Sequence, residues 1–422
     1  MPTFAHLSDV HLGFQKNQAL KKIEKQVFEQ AVSECIMRKV DLIVVSGDLF
    51  HVNIPEMEVN VFAFEQFRRI KESGIPVYVV YGSHDFSPVS KSIIDLLHAA
   101  GLIIKVTSVQ ESNDDSIKLG FVTDSRTGAK IAGLPGLKAG KDLTYYEKLD
   151  RHSLESEPGF KIFLFHGGID ELKSRATSET DFMPLSMLPK GFEYYAGGHM
   201  HSFLHQKYSE YPHVVYPGTL FAGYHSDLEE NAKGARRGFV IVEFGNKIQN
   251  VELVEIKNTK YEIIEIDGKN RDAKSVNAEL LQKTRDVDSK DKVIIIKLEG
   301  ELSTGKTADI DTSTIREELA DAVALTVNIS KNRLSSREYK ITEAKGQNKD
   351  EIETNVFKEN IGEIRLKQEE LKGEKGVMLA KKLLKELEQP ILVNEKKSEY
   401  TSRIRKNALE ILGLNLDDSQ LN

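Results

Sequence analysis

Cysteine, long apolar runs and surplus positive charge are all scarce in this chain of 422 residues. The lone cysteine, Cys35, leaves no internal disulfide possible, which excludes a disulfide-stapled secreted fold and fits a reducing compartment. Apolar runs fall short of the roughly 18 residues that a membrane helix needs, and the first residues lack the segments of a signal peptide. With 58 Lys and Arg against 65 Asp and Glu, the net charge of −7 excludes a strongly basic nucleic-acid coat, although not a local basic groove.

Up to about residue 250, the chain has the alternating pattern of an α/β fold. Segments with apolar residues at helical spacing, 23–35 and 61–70, separate short β-rich runs that end in polar, Gly-containing turns. The predicted strands are 3–7, 42–45, 77–80, 162–165 and 194–196. This alternation predicts a largely parallel sheet covered by helices, with ligands bound beyond the carboxyl ends of its strands.

A second, smaller α+β domain is predicted at residues 255–335. The predicted elements are strands at 261–266, 293–298 and 323–329 and a helix at 313–324. Thr314 and Glu317 have the spacing of a capping box at the start of that helix. Because this segment carries no cluster of charged catalytic residues, we expect it to position the substrate or to cap the site.

The rest of the chain is predicted to be a linker followed by a helical region. Residues 336–360 are polar and charged, which indicates a linker, and they lead into a helical region at 361–415 and a tail at 416–422. The predicted helices are 374–388 and 398–412, with Gly413 as the C-cap of the second. From the pattern alone, this pair either docks on its own domain or binds a partner protein.

Histidine and aspartate recur in short Gly-containing clusters at the ends of the predicted strands. The clusters contain Asp9 and His11, Asp48 and His51, His84 and Asp85, His166, and His199 and His201. One such cluster alone is better explained as a turn aspartate with an incidental histidine, but five strand ends of this composition predict one shared site. Imidazole and carboxylate suit manganese, iron or zinc, and the lack of thiolates argues against a structural zinc site. The clusters therefore predict a dinuclear site, in which two cations about 3.5–4 Å apart activate a water and clamp a phosphoryl group.

The order of these clusters resembles the calcineurin-like metallophosphoesterase superfamily over about residues 1–245. More narrowly, the chain resembles DNA double-strand-break repair nucleases of the meiotic recombination eleven family, archaeal type, in the segments GDLFH, HGGI, GGHMHS and VVYPGT. The resemblance implies an α/β metallophosphoesterase fold, a two-sheet β sandwich flanked by helices, with residues 1–250 as the nuclease domain. It also implies that residues 255–335 form a DNA-capping domain and that a helical pair follows near the C-terminus.

The resemblance further implies two Mn²⁺ ions and a role for each clustered residue. The first manganese would be held by Asp9, His11, Asp48 and His201. The second would be held by Asp48, His166 and His199, with Asp48 as the bridge. His84 matches the family histidine that faces the scissile phosphate and assists departure of the 3′ oxygen. His51 matches the histidine that orients the phosphate and the DNA strand.

One position departs from the family pattern, which usually has an asparagine whose carbonyl ligates the second metal. This chain has Ser83, whose shorter, neutral hydroxyl would reach the metal directly or through a water. We therefore expect the second manganese to be held more weakly than the first.

The resemblance implies a manganese-dependent DNA nuclease, a 3′ to 5′ exonuclease on duplex DNA and a single-strand endonuclease. It would act on DNA ends as a homodimer in the cytoplasm, associated with the chromosome. Residues 361–415 would bind a coiled-coil repair ATPase related to the structural-maintenance-of-chromosomes proteins. One alternative is another dimetal phosphodiesterase or phosphatase, which the net charge of −7 favours because DNA affinity depends on phosphate contacts. Another is a DNA-end tether with weak catalysis, for which Ser83 is the only support.

Overall fold

The computed structural model divides the chain into two compact units, Met1–Tyr261 and Glu262–Asn422. It describes residues 1–86, 91–107, 109–111, 116–136, 141–175, 182–256, 259–337, 349–363, 371–390, 392, 395 and 397–412. Part of the predicted linker, the predicted C-cap Gly413 and the predicted tail 416–422 lie outside the described residues. Within these ranges, no helix is both long and apolar enough to cross a bilayer.

The first unit alternates strands and helices. Its strands are β1 (Thr3–Leu7), β2 (Leu42–Ser46), β3 (Val77–Val80), β4 (Ile104–Lys105), β5 (Val109–Glu111), β6 (Ile117–Leu119), β7 (Val122–Thr123), β8 (Lys130–Gly133), β9 (Lys161–His166), β10 (Gly168–Ile169), β11 (Phe182–Met183), β12 (Tyr194–Gly198), β13 (Leu204–Gln206), β14 (Val214–Tyr216), β15 (Gly238–Phe244) and β16 (Ile248–Glu255). Its α-helices are α1 (Gln18–Met37), α2 (Met57–Glu72), α3 (Ile93–Ala99), α4 (Lys141–Glu147), α5 (Arg151–Ser156) and α6 (His225–Ala232). Every strand and helix that the sequence predicts up to about residue 250 falls inside one of these elements and is confirmed.

Two six-stranded sheets pack face to face in this unit, in the orders β16-β15-β1-β2-β3-β4 and β13-β14-β12-β9-β8-β7. Each sheet contains four neighbouring parallel strands, β1 to β4 in the first and β14, β12, β9 and β8 in the second. The antiparallel pairs lie at one edge of the first sheet and at both edges of the second. An apolar core that includes Phe4, Val44, Leu164 and Tyr194 joins the two sheets. The predicted two-sheet sandwich with flanking helices is therefore confirmed. The expectation of one largely parallel sheet is wrong, because periodicity identifies a strand but not the sheet that it joins.

A buried hydrogen-bond chain ties the two sheets together and links β1 and β2 of one sheet to β12 of the other. The hydroxyl of Ser46 donates to Ala196 O at 2.9 Å and therefore accepts from His6 Nε2, also at 2.9 Å. His6 Nδ1 then accepts from the Tyr194 hydroxyl at 3.0 Å. Burial lowers the pKa of His6 to about 3, so the ring is neutral and this pattern of donors is fixed. The carboxyl ends of strands from both sheets are thereby held at one edge of the sandwich.

The second unit combines a small sheet with helices. Its elements are β17 (Lys260–Asp267), α7 (Ala273–Asp286), β18 (Lys292–Leu302), α8 (Thr312–Asp321), β19 (Thr326–Ser336), α9 (Lys349–Glu363), α10 (Gly373–Leu387) and α11 (Lys397–Ile411). The sheet has the order β17-β18-β19, and β18 and β19 run parallel. Its core contains Ile296 of β18, Leu280 of α7 and Leu319 of α8, as the predicted α+β pattern requires.

Two local predictions in this unit are wrong. Helix α8 begins one turn earlier than the predicted capping box, because the Asp311 side chain caps it and accepts the Thr314 backbone N–H at 3.3 Å. The following strand begins at Thr326 rather than at residue 323, because Val323 has a φ of 60° in the turn that ends α8.

The predicted linker is also partly helical. Residues 349–360 belong to α9, and the Lys381 Nζ of α10 donates to the Thr354 Oγ1 of α9 at 2.9 Å. Gly376 of α10 lies beside Ile361 of α9, since a Cβ at Gly376 would be in van der Waals contact with Ile361 Cδ1 at 3.4 Å. A helix that is mostly polar and packs through a few side chains has too weak an apolar stripe to be recognised from the sequence. The predicted helices 374–388 and 398–412 are confirmed as α10 and α11.

Candidate metal centre

Two loops at the carboxyl ends of β1 and β2 form the floor of a buried polar site. Asp9 donates its backbone N–H to Gly47 O at 3.1 Å, and His11 donates to Asp48 O at 3.0 Å. Asp9, His11 and Asp48 have φ values of 49°, 49° and 50°. Such a conformation costs a residue with a Cβ about 1–3 kcal/mol, so three of them side by side indicate a backbone held in place for function.

Asp9, His11 and His201 bring one group of metal-ligand atoms together, and all three are buried. His11 Nε2 lies 3.2 Å from His201 Nε2, which in turn lies 3.9 Å from Asp9 Oδ1. Two imidazole nitrogens that face each other this closely need a proton or a cation between them, because their lone pairs repel. Gly223 permits the approach, since a Cβ there would lie 2.7 Å from both His11 Nε2 and His201 Cε1.

Asp9, Asp48 and His166 form a second buried group that shares Asp9 with the first. Asp48 Oδ2 lies 3.2 Å from His166 Nε2 and 3.7 Å from His11 Nε2. The other ring nitrogen of His166, Nδ1, donates to Ser46 O at 2.9 Å, which turns Nε2 toward Asp48. Asp48 therefore stands between the two groups, where a bridging ligand would stand.

His199 lies at the edge of the second group. Its backbone N–H donates to both carboxylate oxygens of Asp9 at 3.0 Å, and its φ is 90°. The ring centroid of His199 is 5.2 Å from that of His166. The structure thus places His199 next to the predicted ligands, with its backbone orienting Asp9.

The loop after β3 wraps around Asp48. Ser83 Oγ lies 3.5 Å from Asp48 Oδ2, and the His84 backbone N–H donates to Asp48 Oδ1 at 2.8 Å. Gly82 is required here because any Cβ would collide with the Asp48 carboxylate. Asp85 joins this loop to the β2 loop by accepting backbone N–H groups of Gly82, Leu49 and Phe50 at 2.9–3.2 Å.

His51 and His84 form a stacked pair on the more exposed side of these groups. Their ring centroids are 4.9 Å apart with the planes at 28°, and both residues are half-buried. His84 Nδ1 donates to His51 O at 2.8 Å, because a carbonyl can only accept. His84 Nε2 consequently points the other way, 3.4 Å from the Tyr224 hydroxyl. Together with His11, the pair forms a third group of possible metal ligands.

The pKa values show an ion pair at the place where a cation would bind. Burial alone would raise the pKa of Asp48, but the charge and hydrogen bond of His166 hold it well below its usual range. Burial acts to lower the pKa of His166, yet the carboxylates of Asp48 and Asp9 raise it to about 10. Burial lowers the pKa of His199 to about 3, so that ring is neutral. Imidazole binds a metal only without its second proton, so a cation entering here displaces the proton of His166.

The donor set fits two divalent cations. It combines two carboxylates, of which both groups share Asp9, with neutral nitrogen donors and no thiolate, which suits manganese, iron or zinc. The predicted ligands Asp9, His11, Asp48, His166 and His201 meet in these groups, and Ser83, His84, His51 and His199 lie against them.

Asp227 orients His201 and is a site residue that the sequence analysis missed. Its Oδ2 accepts from His201 Nδ1 at 2.8 Å and also from the backbone N–H groups of Gly223 and Tyr224 at 2.8 Å. Arg237, itself buried, lies 3.7 Å from Asp227 Oδ1 and donates to His201 O. Asp227 is the third residue of α6, so its sequence position indicates a helix cap and only the fold reveals the contact with His201.

Tyr224 was missed for the same reason. Its ring lies flat on that of His201, with centroids 4.9 Å apart and planes at 13°. Burial and the nearby carboxylates of Asp48 and Asp9 raise its pKa, so the hydroxyl is protonated at neutral pH.

Comparison with known proteins finds similarity to one family of phosphoesterases. Residues 2–203 match the family model of calcineurin-like phosphoesterases. The DNA double-strand break repair protein Mre11 of Saccharolobus solfataricus is 25% identical over 309 residues, which cover 71% of this chain and 76% of the relative. The protein of the same name from Methanopyrus kandleri is 24% identical over 63% of this chain and 59% of its own length. The uncharacterized metallophosphoesterase YhaO of Bacillus subtilis is 24% identical over 68% of both chains. The chain thus spans between 59% and 76% of the lengths of these relatives.

Replacing Asp227 by asparagine should weaken metal binding about 10- to 100-fold, the usual effect of losing a carboxylate that orients a histidine ligand. Asparagine still accepts from His201 Nδ1 but no longer carries the charge that raises the basicity of the ring. Calorimetric titration with Mn²⁺ measures the effect. Glu230→Gln is the matched control, because Glu230 binds Arg237 at 2.9 Å and does not bind His201. Equal affinities for wild type and Asp227→Asn would contradict the prediction.

Replacing Ser83 by asparagine should tighten the weaker of two Mn²⁺ sites, because the amide carbonyl reaches further than the hydroxyl. Ser83→Ala serves as the control, since it removes the hydroxyl without adding a ligand. Titration should resolve two binding steps, with only the weaker one shifted in Ser83→Asn. If both steps coincide in the two variants and in wild type, Ser83 has no part in the second site.

Proposed function

Since this chain carries a calcineurin-like metallophosphoesterase domain and is a metal-dependent phosphodiester hydrolase, we propose that it is a manganese-dependent DNA nuclease of double-strand-break repair. It acts as a 3′ to 5′ exonuclease on duplex DNA and as an endonuclease on single strands. The observation that carries the proposal is the His51–His84 pair beside the metal groups. Relatives named as DNA double-strand break repair proteins support it.

The residues around the metal groups have different roles in the cleavage of a phosphodiester. Two Mn²⁺ ions would be held by Asp9, His11, Asp48, His166, His199 and His201, with Ser83 at the second, and would supply Lewis acidity and an activated water when bound. His84 presents Nε2 to the substrate because its Nδ1–H is fixed on His51 O. From Nε2 a proton passes to the 3′ oxygen as the P–O3′ bond breaks. The ring of His51, stacked on His84, orients the phosphate and the strand.

A second candidate is a phosphodiesterase or phosphatase that acts on smaller substrates. The net charge of −7 favours it, because binding to a DNA duplex depends on neutralising many phosphates. DNA affinity that falls steeply with added salt supports the nuclease, and affinity that is weak at all salt concentrations supports the second candidate. A DNA-end tether with weak catalysis would rest on Ser83 alone, and the other predicted ligands, which lie within or against the metal groups, weigh against it.

The proposal extends to the remaining chain. Residues 255–335 cap the DNA, and residues 361–415 bind a coiled-coil repair ATPase. In support, helices α9 and α11 both pack on α10, while Met378 and Leu387 of α10 remain 63% and 57% exposed. Exposed leucine and methionine side chains on a helix are typical of a surface that binds another helix.

We also propose that the chain is a homodimer. Four large apolar side chains are exposed in one short segment, which ends in the first turns of α2. They are Val52, Ile54, Met57 and Val61. Asn53 O of this segment accepts the Ile93 backbone N–H of α3, on which Leu96 is exposed as well. An apolar patch of this kind on a charged protein favours contact with a second copy.

Replacing His84 by glutamine should lower Mn²⁺-dependent cleavage of end-labelled duplex and single-stranded DNA at least about 100-fold, as expected for loss of a proton donor. Metal affinity should stay near that of wild type. The exposed His152→Gln is the matched control and should cut normally. If wild type spares DNA but hydrolyses a small phosphodiester, the second candidate holds instead. If neither substrate is cut while Mn²⁺ is bound, the tether holds.

Deleting residues 349–422 should abolish co-purification with the cognate coiled-coil ATPase and leave DNA cleavage and the dimeric state unchanged. The deletion starts at α9 because α9 packs on α10, so no half-helix remains. The double variant Met378→Glu and Leu387→Glu tests the same surface without shortening the chain. Retained binding of the ATPase by the truncated protein would contradict the assignment. A truncated protein that is monomeric would show that the dimer contact lies in the deleted helices.

A further inference from the structure

Tyr224 closes one side of the metal centre, and the chemistry above makes no use of it. Its ring stacks on His201, and its hydroxyl lies 3.4 Å from His84 Nε2. One side chain thus touches a metal-binding residue with its face and the proton-donating histidine with its polar end.

The position of Tyr224 is fixed by the same atom that fixes His201. Asp227 Oδ2 accepts both the Tyr224 backbone N–H and His201 Nδ1 at 2.8 Å. Tyr224 is also the N-cap of α6, where its backbone leaves the helix. The stack of the two rings therefore follows from a shared anchor. The side chain is still 40% exposed, so a substrate can reach the hydroxyl.

We propose that Tyr224 is a positioning residue, which holds the His84 imidazole in the orientation that delivers the Nε2 proton to the leaving oxygen. A ring bonded only through Nδ1 to His51 O can swing about that bond. A second contact at the opposite nitrogen limits the swing and keeps Nε2 at the open side of the site. The inference rests on the proposed role of His84 in phosphodiester cleavage.

The proton transfer sets the chemistry of the test. A water oxygen bonds to phosphorus, the bond from phosphorus to the leaving oxygen breaks, and the Nε2 proton passes to that oxygen, while a water proton passes to solvent. An alkoxide such as the 3′ oxygen of DNA, or an unactivated phenolate, needs this proton, whereas p-nitrophenolate leaves without it. A residue that acts through His84 therefore matters only for the poor leaving groups.

Tyr224→Phe keeps the stacked ring and removes the hydroxyl. We expect kcat to fall about tenfold on DNA and on diphenyl phosphate, a part of the 10²–10⁴-fold range of proton transfer, and to stay within about twofold on bis(p-nitrophenyl) phosphate. KM and Mn²⁺ affinity should not change. Combined with His84→Gln, the substitution should cost nothing further, because both act on the same proton.

The control is Tyr78→Phe, which removes a tyrosine hydroxyl that donates to Asp124 at 2.9 Å, near the amino end of β3. This control variant should not change kcat differently for substrates with good and with poor leaving groups. An equal loss by Tyr224→Phe on all substrates, no loss on any, or a further loss in the His84→Gln background would overturn the proposal. Wild type that cleaves the aryl esters but not DNA would refute the nuclease, while the two aryl esters would still decide the role of Tyr224.

Discussion

The buried carboxylate of Asp48 is the group on which the rest of the site depends. A carboxylate without a partner in a protein interior costs several kcal/mol, so burying this one requires compensation from every side. His166 supplies a positive charge at 3.2 Å, and the His84 backbone supplies an N–H at 2.8 Å. These partners come from the ends of β3 and β9, which lie in different sheets. Loops from both sheets of the sandwich therefore meet at the Asp48 carboxylate.

The packing of the two sheets sets the accuracy of that convergence. Ser46 ends β2 and uses both of its oxygens across the interface, the hydroxyl toward Ala196 and the carbonyl toward His166. His6 and Tyr194 extend the same chain into the core. Because this network is buried and each ring has a fixed tautomer, a relative slide of the sheets would break several hydrogen bonds at once. The rigid core therefore fixes the distance between Asp48 and His166, on which a bridging ligand depends.

Features that are local in sequence could be predicted, and features made by tertiary contacts could not. The strand 3–7 has the predicted bounds, and Asp9 and His11 follow it at the predicted strand end, because apolar runs and polar turns are local signals. The division of the strands between two sheets could not be predicted, since an apolar run does not specify which sheet the strand joins. Asp227 acts on His201 across 26 residues of chain, and no spacing rule links a helix cap to a distant histidine. Helix α9 could not be recognised from the sequence because it is mostly polar, and its packing on α10, which places Ile361 beside Gly376, is made only in the fold.

The acidity of the chain is a poor guide to its affinity for phosphate, because the charge that a phosphate meets is local. Asp9 and Asp48 are the carboxylates of the metal groups, and the surrounding histidines bind metals as neutral imidazoles. Two divalent cations against two carboxylates leave a net charge of plus two at the bottom of the site. Bound metals are commonly the largest charges near a site, and they act at short range in a medium of low polarity. The net charge of −7 is spread over a surface that salt screens within about 10 Å. A phosphodiester that reaches the His51–His84 pair would therefore meet a cationic centre inside an acidic protein.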